Sequence, residues 1–529
     1  MSYRNLRLPF LLTFILGFPI QIFATNYYVA PVAMYPNASD ANAGTSLALP
    51  FATLAKAISK ANVAGDTIFV RSGTYTVTTT IRITKLGTAT KHYVLTAYQP
   101  DLLNADSRPV FDFSAMPVAG GNIGIIISAA SYWDIIGIVI KGAGDNGMLL
   151  QNTAHHIKVE FCSFTRNRDT GCQIRSGSHH CLILNCDSYE NADLGAGTTS
   201  FGGNADGFAP KLDVGDSIIF RGCRAWMNSD DGWDGFLKTI GTAYPDGMTT
   251  ILEDCWAFHN GYYWLDGSTN SSQNGNGFKM GGSAAKDEAH NFVVTRCLSF
   301  RNKAKGYDQN GNAGSMYLYN NTAHSNGDYD FGLNSSSVTY APGAVLQVIN
   351  NISLGIKGAT IRTGSSVTKL TNSFVNSSTS TNYVSLDSAD VTVMRSLDGS
   401  LPDLSYMHLQ TSPPSVYIDA GTALPLVTYH GAVGIPYEGA ALDLGAYETT
   451  PVATVSYTFT GNGNWDDASN WLNSSMPPAT VPAGTQIIIN PANGGECLLN
   501  IPYTVSPGAV FTVMAGKNFR IAGDLNIAN

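Results

Sequence analysis

From about residue 122 onward, apolar and polar positions recur at a fixed spacing. An anchor position holds Cys162, Cys186, Cys223, Cys255 and Cys297. Three residues before it stands an apolar residue (Val159, Ile183, Phe220, Leu252, Val294), and five after it an asparagine (Asn167, Asn191, Asn228, Asn260, Asn302). Asn321 and Asn326 continue the series, with asparagine at the anchor and Leu318 upstream. Four copies carry an aromatic residue three after the anchor, namely Tyr189, Trp226, Phe258 and Phe300, while the first has Phe164 one position early. Glycines interleave: Cys162 to Gly171, Cys223 to Gly232 and Cys297 to Gly306 are nine residues each, and Gly147 to Cys162, Gly171 to Cys186 and Gly306 to Asn321 are fifteen, so the basic period is 24. A repeat of that length, burying one row of side chains per copy, predicts an all-β parallel β-helix rather than a hairpin meander. The cysteines are then expected to stack inward as free thiols, behaving as small hydrophobes, and the asparagines to bond to one another at a turn.

The repeat is expected to sit within one domain over residues 25–448. Its start reads as a cap: a strand at Tyr27-Tyr28-Val29, a short amphipathic helix within Pro50 to Ile58, and strands near Gly65-Asp66-Thr67-Ile68-Phe69-Val70 and Gly73-Thr74-Tyr75. A solenoid needs a cap because its first coil otherwise exposes core and strand edge. Later strands are expected at Val345–Ile349 and Val391–Val393, and Asp443–Glu448 reads as the end of the helix. Residues 449–455 form a Thr/Pro/Val linker, and 456–529 a small β-rich C-terminal module. There Trp465 and Trp471 have two readings, stacking platforms for sugar rings or core and turn aromatics, the second being the commoner use of such residues.

Composition fits this picture: 54 glycines and only 13% charged residues suit many turns and few exposed helices. Residues 1–24 read as a secretory signal, with Arg4 and Arg7, an apolar run from Leu8 to Phe18 and a cleavage site at Ile22-Phe23-Ala24, so a secreted protein is expected. No later stretch is long and apolar enough to span a bilayer. The formal charge of −9 becomes −11 once the two leader arginines are removed, which argues against nucleic acid as a partner. An acidic ligand would need a local cation to bind such a chain.

Departures from the period concentrate in one region. Twelve extra residues fall between Cys186 and Gly207, eight between Gly232 and Cys255, thirteen between Cys255 and Gly277 and five between Gly277 and Cys297. They flank three phrases: Asn204-Ala205-Asp206-Gly207-Phe208, Asn228-Ser229-Asp230-Asp231-Gly232-Trp233-Asp234-Gly235-Phe236 and Gly275-Asn276-Gly277-Phe278-Lys279-Met280-Gly281. Aligned on the glycine, Asp206 and Asp231 share the position before it, and Asp234, Lys279 and Asp308 the position two after it. Coils about 4.8 Å apart would bring these carboxylates close enough to repel, and a cation is the remedy. Ca²⁺, with six to eight oxygen ligands, suits a flexible carboxylate cage better than Mg²⁺ does. The plainer reading is a solvated acidic turn with Lys279 an ordinary surface lysine or paired to Asp308. A lysine beside a cation is chemically suited to act as a general base at alkaline pH.

In order and register, these three phrases resemble polysaccharide lyase family 9, the pectate lyase-like enzymes built on a ten-coil right-handed parallel β-helix. The resemblance spans roughly residues 26–448 and is strongest over 204–312. It implies Ca²⁺ ligands at Asp206, Asp230, Asp231 and Asp234, a catalytic base at Lys279, and β-elimination on an acidic pectic polysaccharide, either polygalacturonate or the rhamnogalacturonan backbone. Separately, a monomer without a membrane partner after signal cleavage is expected. Two alternatives stay open at this point. A polygalacturonase-type glycoside hydrolase uses a similar aspartate trio, although its Gly-His-Gly and Arg-Ile-Lys motifs do not occur in this sequence. A non-catalytic glycan-binding β-helix would explain the solenoid but not the lysine among aspartates.

Overall fold

The computed structural model describes residues 23–527 apart from 100–106, 194–202, 239–247, 270–273, 356, 375–379, 397, 425–434, 436, 438, 450–454, 482–484, 493 and 506–508. All but the last two residues of the expected leader, most of the expected linker and much of the inserted sequence thus lie outside the described residues. Among the described residues, no helix is long and apolar enough to cross a membrane.

The chain winds through three long parallel sheets. The first has twelve strands, from Asn26–Val29 to Val367–Leu370; the second has eleven, from Thr74–Thr76 to Ser373–Phe374; the third has ten, from Ile81–Ile83 to Ala359–Ile361. Each turn contributes one strand to each sheet, so strands that pair are one coil apart in sequence. Val159 pairs with Ile183 and Ile183 with Phe220, which confirms the upstream apolar column of the repeat.

The other repeat columns run along the helix as expected. All eight cysteines are buried free thiols, and the five at the anchor line the core. Beyond Cys297 the anchor becomes Asn321, then Asn351 and Asn372, each amide bonding to the next at 3.0 and 2.9 Å. A second amide ladder runs from Asn167 through Asn191, Asn228, Asn260 and Asn302 to Asn326, with Nδ2-to-Oδ1 bonds of 2.8–3.0 Å. Every rung is buried, so each amide must find its donors and acceptors inside the protein, and its equivalents one coil away supply them. The interleaved glycines follow from this ladder. A Cβ at Gly232 would lie 2.6 Å from the Gly277 carbonyl and 2.8 Å from Asn260 Nδ2, so no side chain fits. The aromatics three after the anchor stack face to face, with centroids 4.4 Å apart for Tyr189–Trp226, 5.5 Å for Trp226–Phe258 and 4.8 Å for Phe258–Phe300.

Two expectations need correction. The cap helix spans Leu54–Lys60, later than its apolar pattern suggests, because Thr53 supplies the N-cap oxygen to the Lys56 amide and leaves Pro50 and Phe51 outside; Phe51 is a core residue instead. Val391–Val393 is not a strand. The regular coils end at Phe374, and the described residues of 380–449 form an irregular strap, within which Tyr383, Tyr406 and Leu409 pack with the Trp226–Phe258–Phe300 stack. Arg395 of the strap meets Asp187 at 2.7 Å, and Arg224 donates to Asp187 and to the carbonyls of Val391 and Val393. Asp443 to Ala446 returns to the helix, bonding Asn320, Asn350 and Thr322.

Residues 456–527 repeat the architecture on a small scale. Two three-stranded sheets and one two-stranded sheet, all parallel, enclose their own core of Phe459, Ile487, Ile489, Cys497 and Leu499. Trp465 and Trp471 are buried in it, edge to face at 4.7 Å, with Trp471 Nε1 donating to the Trp465 carbonyl. They are core residues, not sugar platforms.

Candidate active site

The third sheet carries the acidic phrases. Phe208, Trp233, Phe278 and Tyr307 point inward and stack at 4.9, 4.9 and 5.1 Å. Strand alternation then sends the next residue of each short strand outward. Asp234 pairs in register with Lys279, and Lys279 with Asp308, so the row read from the glycine alignment exists. It opens into a cleft of about 640 Å³, lined among others by Asp145, Asp169, Lys211, Asp230, Asp234 and Lys279.

Carboxylate oxygens of Asp206, Asp231 and Asp234 all lie within 4.8 Å of one another, and the three residues are buried. Asp231 Oδ1 accepts from the amides of Gly275 and Asn276 and from Asn276 Nδ2 at 2.7–3.0 Å, which leaves its other oxygen facing Lys279 Nζ. Asp206 accepts from the Asp231 amide and from Thr170 Oγ1. Asp230 stands outside this converging trio. It lines the same cleft, and among the described residues its buried Oδ1 has no hydrogen-bond donor. Lys279 Nζ is 3.0 Å from Asp231 and 3.4 Å from Asp234. Asp308 instead pairs with Lys305 at 3.0 Å, so the Lys279–Asp308 pairing considered from sequence is not what forms.

Lys211 is the residue that sequence reasoning missed. Its Nζ lies 2.6 Å from Asp206 and 3.4 Å from Asp234, a second buried cation in the carboxylate group. It follows the strand Phe208–Pro210, off the two glycine-aligned positions that carry the aspartates and Lys279, and only its standing three residues after the first acidic phrase hinted at it.

The electrostatics follow from burial and crowding. Burial, with Asp234 and Asp231 nearby, raises the Asp206 carboxyl to about 7 despite Lys211. Burial and Asp231 push Asp230 well above the usual range. Burial would raise Asp234 too, but Lys279 and Lys211 outweigh it and hold it low. Burial opposes charge on Lys279, yet Asp231, Asp234, Asp230 and Asp206 keep its pKa well above that of an ordinary lysine. Four carboxylates against two ammonium groups leave a formal charge of minus two, which one divalent cation cancels. Two oxygens bound to one Ca²⁺ at 2.3–2.6 Å lie at most about 5 Å apart, so the trio has the right span, and an all-oxygen donor set suits a hard cation. The residues present fit the ion.

A long parallel β-helix with converging carboxylates and buried lysines in a cleft on one sheet is the framework of a polysaccharide lyase. The chain belongs to polysaccharide lyase family 9: the family described as "Pel9A-like, right handed beta helix region" matches residues 27–350. Pectate lyase L of Dickeya chrysanthemi is 36% identical over 433 residues, covering 80% of this chain and 90% of that protein. The crystal structure of pectate lyase Pel9A superposes with a TM-score of 0.66 at 33% identity, covering 81% of this chain and 97% of that one. A solved rhamnogalacturonan lyase gives 0.60 at 25% identity, covering 73% and 97%. The helix is therefore right-handed, and the enzyme reading displaces both the hydrolase and the non-catalytic alternative.

Proposed function

We propose that this chain is a secreted, Ca²⁺-dependent lyase that cleaves the uronate backbone of pectin by β-elimination, with Lys279 as the base. The observation that carries this reading is Lys279 Nζ, buried one coil from Asp234 and within 3.4 Å of two carboxylates of the converging trio. Asp206, Asp231 and Asp234 would hold the ion, with Asp230 beside them. When bound, the ion would supply a Lewis acid that stabilises the negative charge building up on a uronate carboxylate as the neighbouring proton leaves.

The chain's own residues do the rest. Asn276 and the backbone around it fix Asp231, and Lys211 holds Asp206 and Asp234 in place. Lys279, 3.0 Å from Asp231 and 3.4 Å from Asp234, would act as the base in its free-amine form. Its Nζ takes the proton from C5, the electron pair forms the C4–C5 double bond, and the bond from C4 to the glycosidic oxygen breaks. The products are a new reducing end and an unsaturated uronate. An acidic protein can hold an acidic polymer because the cation lies between them.

Pectate and rhamnogalacturonan lyases among the relatives support a pectic substrate. Incubation with polygalacturonate and, in parallel, rhamnogalacturonan should release product absorbing in the ultraviolet from one of them, and a chelator should stop it. Release of saturated products, undiminished by chelation, would refute the reading.

A further inference from the structure

The first sheet carries a group of imidazoles that the lyase chemistry does not use. His155-His156 and His179-His180 are consecutive pairs one coil apart, with His155 bridged in parallel to His179. Neighbouring side chains in a strand normally face opposite ways. Here His156 and His180 adopt φ of 53° and 51°, and this left-handed backbone breaks the alternation. Both rings of each pair consequently stand on the same side. His155 Nδ1 is 2.8 Å from His156 Nδ1, and His179 Nδ1 is 2.9 Å from His180 Nδ1. Between coils the rings stack nearly flat, with centroids 5.0 Å apart for His155–His179 and 5.2 Å for His156–His180. Tyr132 extends the stack on the coil before, at 4.6 Å from His156.

We propose that each consecutive pair is a bidentate clamp, and that one divalent transition-metal ion of tetragonal preference, of the copper(II) class, seats in one of the two clamps. The spacing within each pair carries the choice. With metal–imidazole bonds of about 2.0 Å, two nitrogens at right angles lie about 2.8–2.9 Å apart, whereas a tetrahedral ion wants about 3.3 Å. Both pairs show the shorter value. Coordination through Nδ1 asks only that each ring carry its proton on Nε2, with no net proton change for neutral rings. Burial and the neighbouring imidazoles hold His155, His156 and His179 below the usual histidine pKa, so neutral donors are present at neutral pH. His156 and His180 are exposed, which leaves the remaining coordination positions to water. Two ions held about one coil spacing apart would repel strongly, so a single ion per chain is expected. The site is on a different sheet from the acidic cleft and is independent of it.

The test is titration of the full chain with copper(II) chloride in excess Ca²⁺, followed by calorimetry and electron paramagnetic resonance. The wild type should take up one ion with a tetragonal spectrum showing coupling to at least two imidazole nitrogens. His156→Gln/His180→Gln, which leaves one ring per pair, should bind at least tenfold more weakly and lose the two-nitrogen pattern, with calcium-dependent cleavage of polygalacturonate unchanged. His408→Gln, in the strap and stacked on Tyr447, should behave as wild type. Affinity within threefold of wild type and an unaltered spectrum in the double variant would overturn the proposal.

Discussion

Lys211 lies 2.6 Å from Asp206, and both are buried in the cleft that also holds Lys279. This pair is half of the site's charge balance. Removing one member of a buried pair leaves the other uncompensated, at a cost of roughly 3–5 kcal/mol. Lys211→Met should therefore lower the melting temperature in chelator, and Ca²⁺ should recover part of the loss, because the cation supplies charge to Asp206 and Asp234. Differential scanning calorimetry with and without Ca²⁺ checks this. Equal losses in both conditions would show that Lys211 does not share carboxylates with the ion.

Lys279→Arg keeps the positive charge near Asp231 and Asp234 but cannot deprotonate in the working range. Turnover on the pectic substrate should fall by about 10²–10⁴-fold, the usual contribution of a positioned base, while calcium affinity changes little. A kcat within a few-fold of wild type would remove Lys279 from the role.

The converging trio and its flanking carboxylate should separate in calcium affinity. Asp231→Ala removes a proposed ligand, one of whose oxygens is locked by three donors from the next coil, and isothermal calorimetry should show at least tenfold weaker binding. Asp230→Ala should weaken binding less, since Asp230 lies outside the group that converges within 4.8 Å. The reverse order would place Asp230 at the centre of the site.

The strap provides a prediction about acid. Burial alone would raise the Asp187 carboxyl, but Arg395 and Arg224 hold it far below the usual carboxylate range. A carboxylate depressed in this way contributes stability that is fully present above its unfolded pKa of about 3.9 and is lost as the pH falls below that toward the folded value. Asp187→Asn should remove this dependence and expose the strap to proteolysis at neutral pH, which limited digestion followed by mass spectrometry reads directly. Wild-type resistance in that variant would mean that apolar contacts with the aromatic stack hold the strap unaided.

The legible part of the site was the part that repeats. Asp206, Asp231, Asp234 and Lys279 could be placed on one face because each occupies a fixed offset from a glycine, and that glycine is fixed by the amide behind it. Lys211 stands four after its glycine, where the acidic phrases of the next two coils have Phe236 and Gly281, so the alignment of those phrases does not single it out. The strap was misread for a related reason. Its key contact joins residues 208 apart in sequence, and its segments carry no strand alternation to announce where they dock. Trp465 and Trp471 show the limit of residue type alone: the same two side chains suit a binding platform or a core, and only the three-dimensional closure of residues 456–527 distinguishes these.

The buried amide ladder makes the same contact across sequence separations of 24, 37, 32, 42 and 24 residues. Rung spacing is thus set by side chains at the turn and not by the contour length of the coil. Coils of different length therefore keep Asp234, Lys279 and Asp308 in one row. The scaffold in effect separates the evolution of substrate preference from the preservation of chemistry: a lineage can lengthen, shorten or exchange the walls of the groove while the carboxylates and the lysine keep their mutual positions.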